Sequence, residues 1–360
     1  MNILDRYVLR QFVVTFVFAL VALSSIFIII DLFERLDKFI DNKTPIEMIV
    51  RFYLAFLPYI LELVNPVALM LAGLFSVGRL SNNNEITAMR SGGQGPIRFL
   101  LPILAFAFVM SIAQMYFNGW IAPRAATERF AIERKFLASE NGPSSLQDLF
   151  FRESPSMNVS LRRYDAQNKV GTGVAVEEFG SAEMPRQQWR IDADSMEWDS
   201  TSALWVMPLA TKRTFYPDSV AIEILRQFKA PFTIRHDQIA KLQLNPEEMT
   251  FPEMKDYIET LKRGGKDTRR QEIDLSGQWA FPFVNLIVVL ISIPFASVRR
   301  RGGMAVNIAA AMVIAITYIA FTKISQAAGA AVDLPVEVIG WSANAIFLVI
   351  GLAVLARTRA

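Results

Sequence analysis

The chain has 360 residues, of which 52% are hydrophobic and 20% are charged. A soluble protein rarely has so apolar a composition and a disordered protein never does, so the composition indicates a membrane protein. The absence of cysteine excludes a disulfide framework, a thiolate metal site and a cysteine nucleophile. A single histidine, His236, removes most schemes for a catalytic base or a zinc site, so we expect no catalytic residue, metal or cofactor in this chain.

Six segments are long and apolar enough to cross a bilayer as helices, which takes roughly 20 residues for a hydrocarbon core of about 30 Å. They cover residues 12–30, 52–78, 99–122, 276–298, 302–322 and 338–356, and only the second contains a charge, Glu62. We therefore predict a membrane α-helical fold with six transmembrane helices, three within residues 1–123 and three within residues 271–360.

Basic residues in short loops are enriched on the cytoplasmic side of a membrane, and they indicate the orientation here. With both termini inside, the cytoplasmic segments hold ten arginines against only two acids, Asp5 and Glu85. The arginines are Arg6, Arg10, Arg79, Arg90, Arg98, Arg299, Arg300, Arg301, Arg357 and Arg359. The net charge of +3 therefore divides into +8 for the cytoplasmic segments and −5 for the remainder.

Cations at the outer ends of the spans are candidates for contact with an anionic ligand. Arg35 and Lys38 lie three residues apart just beyond the first span, on nearly the same helix face, and Lys323 follows the fifth span. The alternative for Lys323 is that its side chain extends to the membrane interface and contacts no ligand. For Arg35 and Lys38 the alternative is local ion pairing with their acidic neighbours Asp31, Glu34 and Asp37.

Glu62 is a carboxylate within the second span. It lies roughly 15 Å from the start of that span at ~1.5 Å per residue, and Pro58 and Pro66 bracket it. A carboxylate at that depth costs several kcal/mol, by order of magnitude, unless it faces protein or a wet cavity. We favour a cavity-lining or proton-binding role, and the alternative is a structural hydrogen bond.

The cytoplasmic loop between the second and third spans has the sequence GRLSNNNEITAMRSGGQG. We predict a short amphipathic helix at about residues 82–93, in which Asn82 caps the helix and Glu85 closes a capping box. Ile86 and Met89 share one face, and two glycines end the helix. Such a helix fits a groove on a soluble partner, and it equally fits an interfacial helix that rests on lipid.

Residues 124–270 separate the third and fourth spans, and the same charge distribution places them outside. They begin with a helical continuation of the third span. From about residue 146 to 240 the hydrophobicity alternates with period two between prolines and glycines, which predicts a small antiparallel β-sandwich or roll. A short amphipathic helix follows at about residues 252–263.

Several motifs, in this order, resemble those of the lipopolysaccharide-export permease family, LptF and LptG. They are Leu4-Asp5-Arg6-Tyr7, the segment GRLSNNNEITAMRSG, Ile293-Pro294-Phe295 with the following RRRGG, and WSANAIF near the end. The resemblance extends over nearly the whole chain. It implies the permease subunit of an ABC transporter in the cell inner membrane, with a periplasmic β-jellyroll as the insertion.

The resemblance also implies partners. A paralogous permease would complete a cavity for lipopolysaccharide, a cytoplasmic ATPase dimer, LptB, would supply the energy, and the bridge proteins LptC and LptA would receive the lipid. No nucleic acid is involved. The helix after the second span would be the coupling helix, in which Glu85 contacts the ATPase beside Arg79, Met89 and Arg90.

The substrate site implied by the resemblance is a cavity with cations at its rim. Arg35, Lys38 and Lys323 would hold the phosphates of lipid A, and Glu62 would line the cavity.

Two other classes of function remain as alternatives. One is a gradient-driven secondary transporter of an amphiphile with Glu62 as its proton site. The other is a membrane sensor or scaffold with a periplasmic ligand-binding β domain. The chain has no GxxxxGK[ST], HExxH or GxSxG motif, so energy for transport must come from an ion gradient or a partner. Inverted repeats, expected of many secondary transporters, and a cytoplasmic output domain, expected of a sensor, are not evident.

Overall fold

The computed structural model has two compact units, described here separately. The helical unit comprises Met1–Leu137 and Arg269–Ala360, and the β unit comprises Ala138–Thr268. The residues that the structure describes are 3–93, 98, 100–137, 146–154, 156–166, 168–180, 186–230, 232, 234–236, 239, 245–263, 266–297 and 303–357.

The first part of the helical unit contains five helices. They are α1 (Ile3–Asp41), α2 (Ile46–Asn82), α3 (Glu85–Ser91), α4 (Leu101–Tyr116) and α5 (Ala122–Phe136). A π-helical turn, Phe117–Ile121, joins α4 to α5, so that the two form one continuous helical segment. The extra residue in a π-helical turn shifts the helix face, and such turns are frequent at functional sites.

The β unit contains one six-stranded antiparallel sheet. Its strands are β1 (Leu146–Ser154), β2 (Met157–Asp165), β3 (Val170–Phe179), β4 (Gln187–Asp199), β5 (Leu204–Phe215) and β6 (Val220–Ala230). A 3₁₀ turn, Pro246–Glu248, and helix α6 (Phe251–Arg263) follow the sheet. The predicted antiparallel β character is confirmed.

The described strands do not by themselves show the expected jellyroll, which stays a prediction. The six described strands are hydrogen-bonded in sequence order, which is a meander. A jellyroll would instead need Greek-key crossovers between two sheets. The short connections between successive strands explain the observed order, since they bring each strand next to its predecessor.

Alternating side chains of the sheet form the core of the β unit. Leu161 pairs with Val174, and Val176 pairs with Ile191, and all four side chains are buried. Trp205 is fully buried, and its indole N–H donates to the carbonyl of Ile234 at 2.9 Å. The period-two pattern of the sequence thus places one face of the sheet in the core.

The intervening residues of the sheet carry paired charges. Arg190 donates to Asp192 and to Glu177 at 2.8 Å each, and Arg213 contacts the other oxygen of Asp192. The hydrogen bond with Asp192 raises the pKa of Arg190. These two arginines are therefore engaged within the β unit.

The second part of the helical unit begins with α7 (Arg269–Ala280), which continues through a 3₁₀ turn, Phe281–Phe283, into α8 (Val284–Ser297). Two long helices follow, α9 (Gly303–Gly329) and α10 (Val336–Arg357). Small residues bring these helices close together. A Cβ atom on Gly73 of α2 would collide with Ser292 of α8, and one on Gly340 of α10 would collide with Ser276 of α7.

Five helical segments of the described residues are long and apolar enough to cross a membrane: Ile3–Asp41, Ile46–Asn82, Leu101–Phe136, Arg269–Pro294 and Val336–Ala356. The remaining predicted span is residues 302–322, and its described part, from Gly303 on, falls on α9. This helix of 27 residues is not among the five. The multi-pass helical architecture is confirmed, and the count of six spans stays a prediction.

The second helix and the segment Arg269–Pro294 are the most buried of these five. The apolar span of each is 67% buried, whereas the span of α1 is only 17% buried. Residues of α1 that do pack inward include Phe12, whose ring meets that of Phe106 edge to face at 5.8 Å. Most of α1 therefore offers an apolar surface to its surroundings, as expected for a helix at the edge of a membrane unit.

Candidate functional site

The residues selected from the sequence lie in four places: at α3 and the adjoining end of α2, at the C-terminal end of α1, inside the helical unit around Glu62, and on α9, which carries Lys323. The first two places lie at opposite ends of α1. This helix has 39 residues, and at ~1.5 Å per residue it is about 58 Å long.

The helix predicted at about residues 82–93 is observed as α3, Glu85–Ser91, and its start differs from the prediction. Asn82 is the last residue of α2 and does not cap α3. The chain reverses at Asn84, which has a φ of 57° and whose carbonyl accepts the first helical bond, from Ala88 N at 3.0 Å. Asparagine tolerates this left-handed conformation. Helix α2 can therefore continue to Asn82, one turn beyond the predicted end of the second span at residue 78.

Glu85 has partners on both sides. Its carboxylate accepts a hydrogen bond from Asn83 Nδ2 at 3.1 Å and another from the hydroxyl of Tyr7 in α1. The charge of Arg79, an exposed residue of α2, acts on the same tyrosine. The beginning of α1, the end of α2 and the beginning of α3 therefore meet at one carboxylate.

The apolar face of α3 holds this helix to the helical unit. Ile86 is buried and Met89 packs against the same core, so the predicted shared face is confirmed. The helix ends before Gly93, whose φ of 78° favours glycine. The side chain of Arg90 and the three arginines at residues 299–301 lie outside the described residues.

Arg35 lies between two carboxylates near the C-terminal end of α1. Its Nε is 3.0 Å from Asp31 Oδ1, and its Nη1 is 3.1 Å from Glu133 Oε1 of α5. Asp31 also accepts a hydrogen bond from the hydroxyl of Tyr53 at 3.1 Å. Local ion pairing, the alternative interpretation of Arg35, is thus present, and Glu133 is an additional partner 98 residues away.

Aromatic rings of α2 lie beneath Arg35. The centre of its guanidinium group is 5.4 Å from the ring centroid of Phe52 and 5.9 Å from that of Phe56. Arg129 of α5 approaches the same Phe56 ring at 5.0 Å, and its residue surface is only 6% exposed. Two guanidinium groups therefore share one ring, an arrangement that cation–π attraction stabilises.

Arg129 and Glu133 did not emerge from the sequence as site residues. They lie one helical turn apart on α5, and the only signal was the charged, helical pattern of that segment.

The other two predicted rim cations, Lys38 and Lys323, are both exposed. Lys38 follows Arg35 on α1, whereas Lys323 is on α9, where its charge interacts with Asp274 of α7. No contact described in the structure joins Lys323 to the other two cations.

Glu62 takes part in hydrogen bonds through both its main chain and its side chain. Its carbonyl oxygen accepts from Gln114 Nε2 at 3.0 Å, and its carboxylate accepts from Asn118 Nδ2 at 2.8 Å. Asn118 lies in the π-helical turn between α4 and α5. These bonds favour the structural interpretation of Glu62 over a proton-binding one.

Three buried amide side chains extend this network. Gln114 Oε1 accepts from Asn65 Nδ2 at 2.7 Å and from Asn285 Nδ2 at 2.6 Å, and Asn65 also donates to Asn285 Oδ1 at 3.2 Å. The three residues belong to α2, α4 and α8 and are at most 6% exposed. The network thus joins three helices in the interior of the helical unit.

The arrangement defines a multi-pass membrane protein with an additional antiparallel β unit, a short amphipathic helix at one end of α1 and an arginine–aromatic cluster at the other. Over residues 6–357 the chain matches the family described as lipopolysaccharide export system permease LptF/LptG. Because this match covers nearly the whole chain, the protein belongs to that family, and the resemblance inferred from the motifs is confirmed.

Individual relatives are distant. The chain is 20% identical over 297 residues to the lipopolysaccharide export system permease protein LptG of Escherichia coli K12, across 82% of this chain and 81% of that protein. It is 22% identical over 303 residues to the protein of the same name from Haemophilus influenzae, with the same two coverages. Family membership therefore supports a role in transport and lipopolysaccharide export, while roles of single residues need their own argument.

Proposed function

We propose that the chain is a permease subunit of an ATP-driven exporter that extracts lipopolysaccharide from the outer leaflet of the inner membrane. The family match over residues 6–357 carries this proposal. In it the chain is not an enzyme and holds no cofactor of its own, because a separate cytoplasmic ATPase dimer, LptB, hydrolyses ATP. A paralogous permease completes the cavity, and both termini are cytoplasmic.

The geometry of α3 supports the assignment of a coupling helix. Ile86 and Met89 attach one face of α3 to the helical core, while Glu85 is half-buried and Arg79 is exposed. A partner that binds Glu85, Arg79 and Arg90 would therefore move α3 together with the ends of α1 and α2. ATP-dependent motion of the ATPase would reach the membrane helices through these contacts.

The cluster at the other end of α1 supports binding of an anionic lipid. Arg35 and Lys38 lie one turn apart there, and guanidinium groups bind phosphate through several oriented N–H donors. Aromatic rings next to the cations offer an apolar surface to the adjoining part of the lipid. In this proposal Lys323 contributes a further positive charge at the rim.

The edge of the sheet supports delivery to the periplasmic bridge proteins LptC and LptA. Among the described strands β6 is bonded only to β5, so it is an edge strand of the described sheet. Val220, Ile222 and Ile224 are 52%, 67% and 68% exposed along this strand. An edge strand with exposed apolar side chains is suited to pairing with a strand of another β protein.

The proposal is tested by reconstituting the permease with its paralogue and the ATPase in nanodiscs. We expect lipopolysaccharide to stimulate ATP hydrolysis, and Glu85→Ala to reduce both ATPase co-purification and this stimulation by about tenfold, as for loss of a charged interface contact of ~1.4 kcal/mol. Glu47→Ala, at the other end of α2, is the matched control and should leave both unchanged. Normal recruitment and stimulation in Glu85→Ala would contradict the coupling assignment.

A further inference from the structure

Arg35 already has anionic partners in the place where the proposed function puts a lipid phosphate. Asp31 is 3.0 Å from its Nε and Glu133 is 3.1 Å from its Nη1. A carboxylate and a phosphate bind a guanidinium group in the same way, through oxygen atoms that accept its N–H bonds. A phosphate that reaches Arg35 must therefore take over donors that these carboxylates occupy.

The two carboxylates are held to different degrees. The side chain of Asp31 is 11% exposed, precedes Arg35 by one turn on the same helix, and also accepts a bond from Tyr53. The side chain of Glu133 is 33% exposed and belongs to a different helix, α5. If Asp31 moved away from Arg35 and Tyr53, its buried carboxylate would lose these partners and the Tyr53 hydroxyl would lose its acceptor. The more exposed Glu133 can instead rotate into solvent. Glu133 is therefore the partner that can be displaced.

The remaining contacts keep Arg35 in place without Glu133. The guanidinium group lies over Phe52 and Phe56, and Asp31 fixes its Nε. Arg129, which precedes Glu133 by one turn on α5, lies over the same Phe56 ring. When Glu133 leaves, two guanidinium groups remain beside one ring, and the local charge becomes more positive by one unit. The same cluster then attracts an anion more strongly.

We propose that Glu133 is an internal competitor of the lipid phosphate for Arg35, so that binding of a phosphorylated lipid breaks the ion pair between α1 and α5. This inference rests on the proposed function, because it requires an anionic lipid at the C-terminal end of α1. It adds a selection step to that function. A phosphorylated amphiphile displaces Glu133 and releases α1 from α5, whereas a neutral amphiphile leaves the pair closed.

The first test measures binding of fluorescent bisphosphorylated lipid A to the permease complex in nanodiscs. We expect Glu133→Gln to bind roughly two- to fivefold more tightly than wild type, the range set by a partly exposed ion pair. The double variant Glu133→Gln with Arg35→Gln should lose this gain. Glu128→Gln removes the same charge from an exposed position of the same helix, and it should leave the affinity unchanged.

Further arms of this binding experiment identify the ligand. Dephosphorylated lipid A should bind Glu133→Gln and wild type equally, because it has no phosphate to compete with the carboxylate. Inorganic phosphate should not displace bound lipid A at equal concentration. Displacement by inorganic phosphate would assign the site to the free ion and overturn the proposal.

The outcomes separate this inference from the function on which it rests. Phosphate-dependent binding of equal strength in wild type and Glu133→Gln would overturn the competition and leave the proposed function intact. Weaker binding in Glu133→Gln would overturn it as well. A wild-type complex that binds no lipid A would instead refute the proposed function.

A second measurement follows the two helices directly. The chain contains no cysteine, so spin labels can be placed at Leu36→Cys and Glu128→Cys alone. We expect lipid A to change the distance between these labels in the otherwise wild-type complex. Adding Glu133→Gln should give the changed distance without lipid. A distance that stays the same with and without lipid A would contradict displacement of Glu133.

Discussion

Gln114 replaces a main-chain hydrogen bond that Pro66 removes from α2. The carbonyl of Glu62 is four residues before Pro66 and would accept its amide hydrogen in a regular helix, but proline has none. The Gln114 side chain of α4 donates to this carbonyl instead, at 3.0 Å. A proline inside an apolar helix is thus compensated by a neighbouring helix, as is required where no water can bond the free carbonyl.

The first prediction concerns Gln114, whose amide makes three bonds to α2 and α8. Gln114→Leu removes all three and leaves Asn65, Asn285 and the Glu62 carbonyl with fewer partners. We expect a loss of about 2 kcal/mol in stability, since single side-chain bonds in membrane proteins contribute ~0.6 kcal/mol and buried amides then remain unsatisfied. Reversible unfolding in mixed micelles measures this loss. Asn42→Leu, at an exposed helix end, is the control and should cost far less.

The sequence predicted the polar position in this network but not its partners. Glu62 could be selected from the sequence because it is the single charged residue of an otherwise uncharged span. The prolines on either side of it indicated main-chain carbonyls without a helical hydrogen bond. Gln114 and Asn285 carry no charge, so a search for charges within apolar spans passes over them. Asn285 is also 220 residues from Asn65, and no local pattern can indicate a contact over that distance.

The same division between local and distant contacts explains the cluster at Arg35. Its pairing with Asp31 was foreseen as an alternative, because residues four apart share a helix face. Glu133 and Arg129 come from a segment beyond three further helices, and their approach depends on how α5 packs against α2. The positions of the membrane helices could be predicted from the lengths of the apolar segments. The contacts of Arg35 depend on how these helices pack against one another.

The second prediction distinguishes the two interpretations of Glu62. Glu62→Gln keeps an oxygen that accepts the Asn118 amide bond of 2.8 Å but removes the titrating group. If Glu62 is structural, we expect transport within about twofold of wild type in Glu62→Gln and a destabilised protein in Glu62→Leu, where the bond is lost. Lipopolysaccharide-stimulated ATP hydrolysis and thermal unfolding measure the two effects. Loss of transport in a stable Glu62→Gln would restore the proton-binding interpretation.

The third prediction concerns the link between Tyr7 and Glu85. Tyr7→Phe removes the hydroxyl that donates to the Glu85 carboxylate while it keeps the ring. We expect the ATPase to co-purify normally, because Glu85 remains available, and lipid-stimulated hydrolysis to fall about two- to fivefold, as for one hydrogen bond of ~1 kcal/mol to a charged group. Tyr116→Phe is the control, since Tyr116 is exposed and its ring stacks on Trp120 without needing the hydroxyl. Unchanged hydrolysis in Tyr7→Phe would show that α1 receives no signal through this bond.

The fourth prediction concerns the exposed strand β6. Ile222→Lys replaces an exposed apolar side chain of the edge strand β6 by a charged one, and charged side chains at an edge oppose pairing with another strand. Because Ile222 is already 67% exposed, we expect little change in folding of the β unit and a clear loss of crosslinking to the bridge protein LptC. Phe150→Lys, on the opposite edge strand β1 and 63% exposed, is the matched control. If Phe150→Lys abolishes crosslinking while Ile222→Lys preserves it, the partner binds at the β1 edge, and the assignment of β6 is wrong.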